Sequence, residues 1–133
     1  MSIVEGLKKS VAQTPEKLAS ICGSTRLTFS EVDDRVNRLS NGLARLGVGP
    51  GDRVAILSAN RAEFLLTFLG TMQAGMVSVP VNFKLPPDTV AYIMDDSDAK
   101  LAMDIFDRGE CQAWLSQTRF KTLQHEARAQ AMD

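Results

Sequence analysis

A single histidine and two cysteines leave this 133-residue sequence little material for imidazole or thiolate chemistry. Cys22 and Cys111 lie far apart, with neither CxxC nor metal-ligand spacing, and read as ordinary thiols. Nucleophilic catalysis needs a base held against its nucleophile and oriented by a third group. His125 sits in a polar stretch with no serine, cysteine or carboxylate at such a spacing, and reads as a solvated surface residue. Charge of one sign is also lacking. The 15 basic and 16 acidic residues are scattered to a net charge of -1, so no electrostatic footprint for nucleic acid exists. No apolar run approaches the roughly 20 residues needed to span a bilayer. Charged and polar residues interrupt Met1–Lys17, which leaves no signal-peptide core. The expectation is a soluble, cytoplasmic chain.

What is present is the material of one core. The 44% hydrophobic and 23% charged residues argue against disorder over the whole length, and the length suits a single compact domain.

The order of elements can be read from periodicity and punctuation. Ile3, Val4, Leu7 and Val11 suit a short amphipathic helix over Met1–Gln13, ended by Thr14-Pro15. Leu18–Cys22 and Arg26–Phe29 flank Gly23-Ser24 as a hairpin. Thr28 and Glu31 have capping-box spacing, and Val32, Val36, Leu39, Leu43 and Leu46 form one stripe of a helix that stops at Gly47. Pro50-Gly51 is a turn dipeptide, and Val54-Ala55-Ile56-Leu57 is the continuous apolar run of a strand covered on both faces.

Asn60 and Glu63 repeat the capping arrangement before a helix with Phe64, Leu65, Phe68, Leu69 and Met72 inward and Gly75 at its end. Met76–Val81 reads as a second buried strand whose ladder stops at Pro80. Pro86-Pro87 opens a third helix with Val90, Ile93 and Met94 inward, and Leu101-Ala102-Met103 is the next parallel strand. Such alternation predicts βαβ units, and the fold class is α/β: a layered, mainly parallel sheet with flanking helices. Phe106–Asp133, with Trp114, Leu115, Phe120 and Leu123 among polar residues, reads as one or two modest helices. The expected organisation is an α/β subdomain over 1–104 and a helical extension over 105–133. Trp114 and Leu115 either seal the local core or cover a surface that another subdomain buries.

Candidate sites give way to plainer readings. Gly47, Gly49 and Gly51 follow a helix and open a strand, the reverse of a dinucleotide loop, and no GxxxxGK is present. Asp95, Asp96 and Asp98 flank Ser97 at a helix end without EF-hand spacing, and read as a turn. Met72, Met76, Met94 and Met103 fall at inward positions and read as core.

Five segments in one order nevertheless carry a resemblance: Leu27-Thr28-Phe29 with Glu31-Val32, NGLARLGVGPGD at 41–52, VAILSAN at 54–60, MQAGMVSVPVN at 72–82, and Ser97-Asp98-Ala99-Lys100. Together they resemble the N-terminal region of the adenylate-forming, AMP-binding enzymes, in the acyl-CoA synthetase branch. The resemblance covers slightly over half of the chain. It implies a parent that activates a carboxylic acid with ATP, forms an acyl-adenylate with release of pyrophosphate, and passes the acyl group to coenzyme A. ATP, magnesium and CoA are cofactors implied for that parent, and its remaining subdomains are the implied partners.

The family's glycine-, serine- and threonine-rich phosphate loop, its later acidic residues and its C-terminal lysine have no counterpart in these residues. No catalytic, cofactor-binding or metal-binding residue is therefore assigned. Lys84 stands where such enzymes often carry arginine, and Pro86 replaces a hydroxyl cap. The leading expectation is an N-terminal piece of an acyl-CoA ligase that is inactive alone and prone to self-association. The rival is a free-standing binding module that retains the fold.

Overall fold

A computed structural model of the chain describes residues 2–58, 61–82, 84–105, 111–115 and 125–128. Helix α1 (Ile3–Gln13) opens with a capping box. Ser2 Oγ accepts from the Glu5 N–H at 3.2 Å, and the Glu5 carboxylate accepts from the Ser2 N–H at 2.7 Å. Strands β1 (Leu18–Cys22) and β2 (Thr25–Thr28) form the expected antiparallel hairpin, with Gly23 at φ 59° in its turn.

Helix α2 (Phe29–Arg45) begins at Thr28, whose Oγ1 accepts from the Glu31 N–H at 3.2 Å. The Glu31 carboxylate meets the Thr28 hydroxyl rather than its backbone, so only half of the expected box forms. The apolar stripe does what its spacing requires: Val32, Val36, Leu39 and Leu43 are buried. Full burial of such a side chain favours folding by roughly 1.5–3 kcal/mol. Gly47, at φ 79°, takes the left-handed position that ends the helix.

The second sheet runs β4-β3-β5-β6-β7, with β3 (Arg53–Ser58) between β4 (Val77–Val81) and β5 (Leu101–Ile105), all three parallel. Alternation along β3 sends Val54 and Ile56 to one face and Ala55 and Leu57 to the other. On the first face they meet Leu39 and Leu43 of α2, Met76, Leu101, Met103 and the half-buried Phe64 and Phe68 of α3 (Ala62–Gln73). On the second face Ala55 and Ala102 leave room for α4 (Pro87–Asp96), which contributes Met94, Val90 and Ile93. A third cluster, with Leu7, Leu27, Val32, Val36, Leu66 and Leu69, ties α1 and the hairpin to α2 and α3. Met76, Met94 and Met103 are core, as their positions predict, while Met72 is half-buried.

Several expectations need correction. Leu65 points outward and is 38% exposed, because the buried face of α3 is centred on Leu66, Thr67, Gly70 and Thr71. The N-cap of α3 is Arg61, and Asn60 lies outside the described residues. Strand β4 is a partly exposed edge strand that continues through Pro80 to Val81, and an edge tolerates a missing N–H.

Within 105–133 the segments Cys111–Leu115 (β6) and His125–Arg128 (β7) are strands rather than helix. Both pair antiparallel, β6 on β5 and β7 on β6, since the open edge of β5 offers ladder partners that helical propensity does not outweigh. In that register Cys111 is opposite Ile105, Trp114 opposite Ala102, and Leu115 opposite both Leu101 and His125. Phe106, Phe120 and Leu123 lie outside the described residues.

Candidate functional site

The two edges of the parallel core differ in chemistry. At the amino edge every turn is tied down. Gly49 donates its N–H to Asp52 Oδ2 at 2.7 Å, and Gly51 donates to the Gly75 carbonyl at 2.8 Å. These donors are committed to the fold, and they stand at the amino ends of the strands, so the glycine loop is a turn as its order implies. Lys100 Nζ lies 3.2 Å from Asp52 Oδ1, and Arg53 donates to the Ser97 carbonyl at 2.9 Å and to Asp98 Oδ2 at 2.8 Å. The Gly49 N–H, then Lys100, hold the Asp52 carboxyl below its ordinary value of 3.8. Asp98, at φ 51°, is the aspartate of the acidic turn that faces Arg53, while Asp95 and Asp96 end α4.

The carboxyl edge is arranged differently. The chain leaves β3 through α3 towards β4, and leaves β5 towards β6 on the other side. The carboxyl ends of β3 and β5 therefore lie side by side, at the end of the sheet where α/β proteins generally take their ligands. Ser58 and Ile105 are the paired residues at that end, and Asn82 follows β4. Asn82 Oδ1 accepts from the Lys84 N–H at 3.0 Å, which fixes the turn leading to α4. Pro86 is the N-cap of α4 and supplies no side-chain hydrogen bond, as its substitution for a hydroxyl residue predicts.

Beside this edge the hairpin meets the start of α3. Ser20, Ile21, Cys22, Arg61, Ala62 and Phe64 line an open cleft of about 230 Å³. Phe64 stacks on Phe68 with ring centroids 6.2 Å apart, and Arg61 lies 3.7 Å from Glu63. Cys22 packs with the helical cluster at the other wall. His125 belongs to β7, three strands from β3 in the larger sheet, while Cys22 belongs to the β1–β2 hairpin.

Among the described residues no three His, Cys, Asp or Glu side chains converge in a way that could hold a metal ion. No described helix is long and apolar enough to cross a membrane. The sequence reading missed the Ser2–Glu5 box, although its SxxE spacing is the usual signal. It also missed a polar knot in which Asn37 Oδ1 accepts from Lys8 Nζ at 2.9 Å and from Gln73 Nε2 at 2.7 Å, because those three residues come from three helices.

Comparison with known proteins fits this architecture. The family model described as "AMP-binding enzyme" matches residues 7–131. The chain belongs to that family, the adenylate-forming enzymes, and its relatives place it in the acyl-CoA synthetase branch. It is 33% identical over 98 residues to a medium/long-chain-fatty-acid–CoA/3-oxocholest-4-en-26-oate–CoA ligase of Mycobacterium marinum, covering 74% of this chain and 18% of the relative. It is 40% identical over 106 residues to a feruloyl-CoA synthase of an Amycolatopsis species, covering 80% and 22%. The inhibitor-bound N-terminal domain of FACL13 from Mycobacterium tuberculosis superposes with a TM-score of 0.74 at 33% identity, covering 77% of this chain and 26% of that one. The chain thus spans about a fifth of the length of the curated relatives it matches.

Proposed function

We propose that these residues form the N-terminal subdomain of a cytoplasmic, ATP-dependent acyl-CoA synthetase and that they do not adenylate an acid by themselves. The observation that carries this reading is the three-stranded parallel core in the order β4-β3-β5, within a family match that extends over residues 7–131. The acids named for the relatives range from fatty and steroid acids to ferulic acid, so the likeness follows the type of reaction rather than one substrate.

Adenylation needs donors and a metal aimed at the phosphates. The Gly49 and Gly51 N–H groups are engaged within the fold, and no GxxxxGK loop is present in the sequence, which supports the reading. No catalytic step is therefore assigned to a residue of this chain. ATP, magnesium and CoA are proposed to be held by the assembled enzyme, with its remaining subdomains as partners. Residues 1–104 are proposed as the α/β subdomain, and 105–133 as its continuation, of which β6 pairs with β5 and β7 with β6.

The test is acid-dependent release of pyrophosphate from ATP by the purified 133-residue chain, across fatty and aromatic acids. No release above the protein-free rate is expected. Release that saturates with one acid would overturn the proposal.

A further inference from the structure

We draw no further inference here: the strongest candidate, the open cleft between the β1–β2 hairpin and the start of α3 lined by Ile21, Cys22, Arg61 and Phe64, rests on a helix N-terminus and a single thiol, and nothing in the structure shows what covers it.

Discussion

Gly70 of α3 lies so close to Leu39 of α2 that a Cβ at position 70 would stand 2.7 Å from Leu39 Cδ2 and 3.1 Å from Leu39 Cβ. The contact explains a glycine in the interior of a helix, where it costs about 1 kcal/mol relative to alanine. Leu39 is fully buried between α3 and the sheet, so it has little freedom to withdraw.

Gly70→Ala is accordingly expected to destabilise the chain. Overpacking costs about 1–3 kcal/mol, which exceeds the helix-propensity gain and leaves a net loss of about 1 kcal/mol. Urea unfolding reads this as a lower midpoint at unchanged slope. In a Leu39→Ala background the cost of the same substitution should shrink, because Cγ and Cδ2 are gone and only the 3.1 Å approach to Cβ remains. A raised midpoint for Gly70→Ala alone would show that the helices part at no cost.

That contact also marks the limit of what the sequence discloses. Val54-Ala55-Ile56-Leu57 is legible as a central strand because burial on both faces removes every polar residue from the run. The α2 stripe and the glycine stop at Gly47 are legible because they follow from helix geometry alone. Gly70 is not, since its role depends on how closely two helices cross. Leu65 misleads for a related reason: Thr67, Gly70 and Thr71 look like an outer face, yet they turn towards α2 and the sheet. In β7, His125-Glu126-Ala127-Arg128 shows no apolar alternation, so pairing with β6 could not be inferred from local pattern. The candidate site is the least legible part, because which strand ends lie side by side is a property of strand order.

Thr67 and Thr71 provide a second test. Both are fully buried on α3, and neither hydroxyl finds a hydrogen-bond partner among the described residues. An unpaired buried hydroxyl costs about 1–3 kcal/mol, and valine matches threonine in shape with a similar helix propensity. Thr67→Val and Thr71→Val are each expected to raise stability by about 1 kcal/mol, measured as a higher unfolding midpoint. A fall in either midpoint would mean that the hydroxyl is engaged after all.

Pro80 governs the open edge of the sheet. Val77 N–H bonds inward to the Asp52 carbonyl at 2.8 Å, so alternation along β4 turns Ser78 and Pro80 outward. Proline there removes a donor from the middle of the exposed edge, a common guard against edge-to-edge pairing. Pro80→Val restores that donor and should increase self-association. Sedimentation velocity should show a weight-average coefficient that climbs with concentration more steeply than that of the unaltered chain. Identical concentration dependence in the two proteins would remove the guarding role from Pro80.

Asp52 makes stability depend on pH in the acid range. Its folded value is lowered, first by the Gly49 N–H and then by Lys100, so the carboxylate stabilises the fold fully above its unfolded value near 3.8. That contribution is lost as pH falls through the lower folded value. Asp52→Asn is expected to be less stable than the native chain at neutral pH, with the difference constant down to about pH 4 and shrinking below it. Salt separates the two causes. Lys100 is 58% exposed, so its attraction weakens as ionic strength rises, while the Gly49 bond is local and persists. If the pH-dependent difference vanished in high salt, Lys100 rather than the Gly49 N–H would be its main source; retention of most of it would identify the backbone bond as the element that fixes the turn into β3.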